Sequence, residues 1–387
     1  MNFELPDDLK DLRRHVRAFA REVIAPVAAD LDANPRFPTA TLARMAEMGL
    51  LGVTTPDRYG GAGLGMLAYA VLLEEVSAAD ASHGTLMAVT NGLPQKMLVE
   101  HGSDEQKETW LPPLASGTIF GAFCLSEAHA GSDAAALRTR AVRDEGGYRL
   151  RGSKAWVTGG GHAGLYLVLA VTDPEAGARG VSAFLVPGDA DGLSFGAPER
   201  KMGQHASITT TVVLDDVPVP ASHRLGREGE GFVMAMASLD AGRIGIAAQA
   251  LGIAQAAFDV ARAYADEREA FGRRIRDFQG VAFPLAEMAT RIEAARLLVW
   301  KAAWAAERGF RVTKEASMAK LYASETAGYV TDAAVQVLGG AGYTRDHPVE
   351  RYLRDARVTR IYEGTSEIQR IVIARQLYRD PDRGSAS

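Results

Sequence analysis

The chain opens with a helical rhythm. Leu12, Val16, Phe19, Ala20, Val23 and Ile24 recur at three- and four-residue spacing with charged residues between them, so one face is apolar. Pro35-Arg36-Phe37-Pro38 breaks the run, and residues 42–51 resume it. Residues 66–78 and 84–100 are apolar nearly all round and predict two buried helices, and residues 102–107 restart a shorter one. Between residues 51 and 66, Pro56-Asp57-Arg58-Tyr59-Gly60-Gly61-Ala62-Gly63 is a loop by composition. Past residue 119 the rhythm changes. Residues 120–125, 148–151, 155–158, 165–171, 181–186 and 209–214 are short, β-branched or aromatic, and separated by Gly, Asp and Pro. They predict a β-barrel-like unit or small sandwich. From about Arg227 the helical period returns and stays, with long segments at 231–267, 278–308 and 313–338. Stripes such as Ala247, Leu251, Ala254, Phe258 and Ala261 predict closely packed antiparallel helices of a bundle. The fold class is α+β, in three domains: 1–118 helical, 119–226 β, and 227–387 a four-helix bundle. The polar segment 380–387 reads as a disordered tail.

Composition narrows the function. With 47% hydrophobic and 24% charged residues, the chain has the balance of a soluble globular protein. A net charge of -5 leaves no electrostatic footprint for nucleic acid or an anionic membrane. The single cysteine, Cys124, excludes an internal disulfide, and the eight histidines show no ligand spacing, so no metal site is expected. No secretory pattern opens the chain and no spanning segment is evident, so a cytoplasmic protein is expected.

The candidate chemistry concentrates near the end, in Ile361-Tyr362-Glu363-Gly364-Thr365-Ser366-Glu367-Ile368-Gln369-Arg370. Ser366 and Gln369 form a capping-box pattern, and Ile368, Ile371, Val372 and Leu377 make an apolar stripe, so a helix is predicted just after Gly364. Its free N–H groups favour an anion. Glu363, held in a tight turn before that start, is either a general base or simply an acid complementing the helix dipole.

This stretch resembles the C-terminal signature of the acyl-CoA dehydrogenases, close to the short-chain (butyryl-CoA) form. In that family the Glu of Tyr-Glu-Gly-Thr removes the α-proton of an acyl-CoA thioester while FAD takes the β-hydrogen as hydride. The resemblance implies that Glu363 is the catalytic base, with Thr365, Ser366 and Glu367 near the cofactor and Gly364 near the substrate. Other motifs follow in the family's order. The segment from Phe123 through Leu125 and Ser126 to Gly131, Ser132 and Asp133 resembles Ser/Thr-Glu-Pro-Gly-x-Gly-Ser-Asp, although Ala128 and His129 replace the usual Pro and Gly. Alone it is an ordinary polar turn; the resemblance places Ser126 against the flavin and Ser132 against both flavin and CoA. Lys154-Ala155-Trp156-Val157-Thr158 resembles the strand whose Trp covers the isoalloxazine and whose Thr bonds it near N5. A Trp in a strand is otherwise plain core.

Arg268 and Phe271, followed by Gln279, resemble the family's Arg-x-x-Phe-Gly…Gln, in which the guanidinium holds the FAD pyrophosphate. Gln336-Val337-Leu338-Gly339-Gly340 resembles Gln-x-x-Gly-Gly, although by itself it is a helix stop. In relatives these two segments reach the FAD of a neighbouring subunit, which implies a homotetramer, a dimer of dimers. Asp240 and Arg243 are either a charged helix start or, by resemblance, neighbours of the CoA moiety. Gly242 stands where long-chain and isovaleryl-type enzymes carry their catalytic Glu, so the resemblance is to the short- and medium-chain arrangement. It further implies reoxidation by an electron-transfer flavoprotein and a Glu363 pKa raised toward neutrality by burial. Monooxygenase, nitroalkane-oxidase and non-catalytic flavin-binding relatives of the fold remain alternatives, against which Glu363 argues.

Overall fold

A computed structural model describes residues 4–378; the expected tail at 380–387 lies outside them. Seven helices form the N-terminal part: α1 (Asp7–Phe19), α2 (Ala25–Ala33), α3 (Thr39–Glu47), α4 (Met66–Ala79), α5 (Ala81–Thr90), α6 (Lys96–His101) and α7 (Asp104–Ala115). The expected single helix over 84–100 is interrupted. Residues Asn91–Gln95 widen to a π-turn containing Pro94, which cannot donate to the helical ladder. Asn91 and Gln95 in that turn reach the 50–53 backbone, where Gln95 donates to Leu51 O at 2.6 Å. At α7 a capping box does form, between Ser103 and Gln106.

The middle part is an eight-stranded mixed sheet in the order β6-β7-β3-β2-β4-β5-β8, with β1 (Gly121–Cys124) alongside β4 (Leu165–Val171). The remaining strands are β2 (Arg140–Asp144), β3 (Gly147–Thr158), β5 (Val181–Pro187), β6 (Leu193–Phe195), β7 (Thr209–Pro220) and β8 (Arg224–Leu225). The two strands expected at 148–151 and 155–158 are one, β3, bulged between Lys154 and Val157 where it pairs with β7. Strands β2, β6 and β8 are only five, three and two residues long and escaped the periodicity reading. The hydrogen-bonded path ends at β6 and β8, which do not pair with each other.

The C-terminal part holds α8 (Gly231–Glu267), a short hairpin, α9 (Gln279–Glu307), α10 (Thr313–Leu338), α11 (Gly340–Tyr343), α12 (Val349–Ala356) and α13 (Ser366–Leu377). By length and composition α8 could cross a membrane, but 72% of its most apolar window is buried inside the protein. It is the axis of the molecule, packed between α4 and α10 through Ala247, Leu251, Ala254 and other small or branched residues. All three parts meet around the middle of α8 and the turn that precedes α13.

Candidate active site

Glu363 stands on a turn fixed from three sides. Tyr362 donates its hydroxyl to Gln249 on α8, and Gln249 in turn donates to Thr85 on α5 at 2.7 Å. Arg360, from the turn after α12, packs against α10, donating to Glu325 O at 3.2 Å. Lys320, fully buried on α10, donates to Gly364 O at 2.8 Å. Gln369 closes the turn from the other side, donating to Glu363 O at 3.1 Å and Gly364 O at 2.9 Å.

These contacts correct the expected capping box. Thr365, not Ser366, is the N-cap, accepting from Ile368 N at 3.3 Å, and Ser366 instead donates to Glu325 at 2.8 Å. Gln369 is committed to the Glu363 turn. The helix is therefore rotated so that Ser366, Gln369 and Gln376 face inward, while Ile371 and Leu377 of the expected apolar stripe are exposed. The clamps also hold Glu363 at φ +51°, a left-handed backbone that a non-glycine residue keeps only when its surroundings enforce it. Gly364 follows at φ +92°, and a Cβ there would lie 2.8 Å from Gln369 Nε2.

The residue is part-buried as a whole, yet its Oε2 is sheltered and has no hydrogen-bond partner. Burial pushes the carboxyl from its ordinary 4.5 up to about 7, against the opposing pull of Lys320 and Arg243. Burial likewise lowers Lys320 to about 8, with Glu363 pulling it back. A carboxyl poised near neutrality and unengaged by hydrogen bonds is suited to accept a proton. Gly242 of α8 makes room for it: a Cβ at 242 would overlap Oε2 and lie 2.9 Å from Cδ. Positions 242 and 363 thus face one space, and a carboxylate on either would serve it.

Arg243 is buried beside this space, its Nη1 on Asp240 Oδ1 at 2.6 Å; Thr313 holds the other Asp240 oxygen at 2.6 Å. Arg243 Nε is unpartnered. Both residues are therefore ordered by each other, and the Arg243 charge acts on Glu363.

On the sheet side, Glu127 and Ala130 exchange backbone hydrogen bonds of 3.1 and 2.9 Å, which folds Ala128 and His129 into a tight turn. The two departures from the usual sequence therefore sit at an exposed tip. Beneath it the Glu127 carboxylate accepts from Lys154 Nζ at 2.8 Å, Arg138 N at 2.7 Å and Thr139 N at 2.9 Å. Burial alone would raise the Glu127 carboxyl, but these donors outweigh it and hold it at about 2. Lys154, fully buried, also donates to Leu125 O, so this pair ties the turn to β3. Phe123 and Ser126 are half-buried, Gly131 and Ser132 exposed. At the β3 bulge Trp156 takes φ +55° and leaves 54% of its surface exposed; a Cβ on Gly131 would touch its ring at 3.9 Å. The neighbouring Val157 is core and Thr158 half-buried. An exposed aromatic face on a strained bulge, beside a polar turn, fits a planar aromatic cofactor and not a core role.

The remaining flavin candidates lie elsewhere. Arg268 is 26 residues beyond Gly242 along α8, about 39 Å at 1.5 Å per residue. It caps α8 and leads into β9 (Glu269–Ala270) and β10 (Arg273–Arg274), with Phe271 and Gly272 as the turn, both at positive φ, and Phe271 96% exposed. Gln279 and Gln336 are exposed, as are Gly339 and Gly340; Val337 is half-buried and Leu338 is core. These segments share the far end of the bundle, where Tyr264 meets His347 edge-on. One chain does not bring them to Glu363. Glu367 lies exposed in the first turn of α13.

Sequence reasoning missed Lys320 and Gln249, and gave Gln369 a different bond. Lys320 did carry a signal: it falls on the buried Ala316–Ala323–Ala327 face of an otherwise apolar helical stripe.

Comparison with known proteins gives the site its context. The chain matches the acyl-CoA dehydrogenase N-terminal, middle and C-terminal domains over residues 6–118, 122–217 and 229–378. It is 44% identical to the short-chain specific acyl-CoA dehydrogenase of Clostridium acetobutylicum, across 98% of this chain and 100% of that one. The chain belongs to the acyl-CoA dehydrogenase family. Its structure superposes on butyryl-CoA dehydrogenase from Megasphaera elsdenii with TM-score 0.96 at 41% identity, covering 98% and 100% of the two chains. A chain from a structure of the electron transferring flavoprotein of Acidaminococcus fermentans gives TM-score 0.97 at 44% identity, with the same coverage. Like the rest of the family, the protein is an FAD-dependent oxidoreductase.

Proposed function

We propose that this protein dehydrogenates a short-chain acyl-CoA thioester to its trans-2-enoyl-CoA, with Glu363 as the base and an electron-transfer flavoprotein as acceptor. The observation that carries it is the unpartnered Glu363 carboxyl, pushed up to about 7 and facing the space beside Gly242. FAD, when bound, supplies the acceptor for the β-hydrogen, which leaves as hydride. The Ser126–Ser132 turn, Trp156 and Thr158 would hold the ring. Everything else is done by the chain itself. The Lys320 and Gln369 clamps fix the Glu363 backbone, so the carboxyl meets the α-proton in one orientation. Oε2 takes that proton, and the nearby Lys320 and Arg243 charges keep a fraction of the carboxyl ionised at neutral pH despite its burial.

The second cluster supports assembly. Arg268, Phe271, Gln279 and Gln336–Gly340 lie too far from Glu363 in the same chain, and Phe271, Phe283 and Tyr343 are exposed near them. They would complete the FAD site of a neighbouring subunit in a homotetramer. Register shifts along β3–β7, which increase local twist, support a barrel-like curl of the middle domain.

The test is anaerobic flavin bleaching. Butyryl-CoA should bleach the parent, and Glu363→Gln should bind flavin and thioester yet reduce at least about 10²- to 10⁴-fold more slowly. Equal rates in the two proteins would move the base elsewhere.

A further inference from the structure

Tyr69 on α4 is fully buried, and its hydroxyl has no hydrogen-bond partner. A phenol shut away from water ordinarily finds one, because leaving it unpaired is costly. Its surroundings say where it points. A Cβ on Gly245 would lie 2.8 Å from the Tyr69 hydroxyl, and one on Gly92 would lie 3.5 Å from it and 3.8 Å from Gly242 Cα. The hydroxyl therefore occupies the place where a side chain at 245 would stand. Gly92, at the π-turn after α5, connects it to the space under Glu363. Glu363 is also close enough for its charge to add to burial in raising the Tyr69 pKa.

The geometry points to a narrow slot walled by three glycines, with Glu363 at its mouth and Tyr69 across its far end. Gly242 and Gly245 are three residues apart on α8, about 4.5 Å along the axis. Resting on the function proposed above, we infer that Tyr69 is the floor of the acyl pocket and confines the thioester to chains of roughly four to six carbons. The Cα–Cβ pair of the substrate sits at the level of Gly242, and the tail has about 4.5 Å along the helix axis before it meets the phenol. Tyr69 is thus a specificity residue, with no part in proton transfer.

The test uses FAD-loaded parent, Tyr69→Ala, Tyr69→Phe and Gly245→Ala. Flavin reduction is measured with butyryl- through decanoyl-CoA, and binding of the matching 2-enoyl-CoAs is read from the flavin spectrum. Opening the floor should raise the octanoyl-to-butyryl ratio of kcat/KM in Tyr69→Ala by about 15-fold, near fourfold for each of two newly buried methylenes. Enoyl-CoA affinities should shift in the same sense. Tyr69→Phe keeps the bulk and should keep the parent's order of lengths. Gly245→Ala pushes the phenol into the slot and should turn the ratio further toward butyryl-CoA; it decides the matter alone should Tyr69→Ala fail to fold. An unchanged ratio in the folded variants overturns the floor while leaving the dehydrogenase reading intact. A parent bleached by no acyl-CoA overturns that reading, and the floor with it.

Discussion

The acid limb of flavin reduction follows directly from the burial of Glu363. A solvent-exposed glutamate at the ordinary 4.5 is about three-quarters ionised at pH 5. Pushed up to about 7, Glu363 is about half ionised at pH 7 and only about 1% ionised at pH 5. Since only the carboxylate can accept the α-proton, the rate at pH 5 should be about 100-fold below its alkaline plateau. Stopped-flow reduction with subsaturating butyryl-CoA between pH 5 and 9, which reports the free enzyme's titration, measures it, with deuterium at the α-carbon confirming that proton abstraction is being followed. The same burial has a stability signature. A carboxyl with a raised folded-state pKa stabilises the fold below pH 4.5, and that contribution is lost as pH rises through 7. A gap of about 2.5 pH units corresponds to up to about 3 kcal/mol. Glu363→Gln, which needs no ionisation, should therefore gain stability over the parent on the alkaline side and not below pH 4.5. A reduction rate falling less than about twofold from pH 7 to pH 5, as an exposed base would give, refutes the argument.

Two further perturbations probe the supports of the site. Lys320→Met removes both the Gly364 clamp and a charge that favours ionised Glu363, so the inflection should move above 7 and the plateau should fall, while a purely structural lysine would leave the inflection unmoved. Lys154→Met strands the buried Glu127 carboxylate beneath the flavin-side turn; it should cost about 3–5 kcal/mol in urea unfolding, and an unchanged midpoint would show the pair to be dispensable.

Much of this was legible in the chain itself. Long periodic segments fixed the three bundle helices almost to the residue, and β-branched runs located the buried strands. Local signals work where burial of one face dominates. They failed for β2, β6 and β8, whose partners supply the stability, and for α13, where the capping pattern was read correctly as a helix start but assigned to the wrong bonds. Gln369 bonds the turn before the helix because that turn is already held by Lys320 and Tyr362, and these contacts override the local cap.

The sequence alone also pointed to the residues proposed to carry the chemistry, since Glu363 and the Trp156 strand fall in motifs that resemble those of the family. Only the tertiary structure decided how that chemistry is tuned. The Glu363 pKa is raised by burial and held back by Lys320, 43 positions earlier, and Arg243, 120 positions earlier, which no linear spacing connects. Gly242 marks an alternative position for a carboxylate by resemblance, but its contact with the Glu363 carboxyl appears only in the fold, and Tyr69 is a core residue until Gly245 and Gly92 are found beside its hydroxyl. Periodicity records which side a residue faces. What it faces is settled when α4, α8, α10 and the Glu363 turn close on one another, because desolvation and charge act through space and not along the chain.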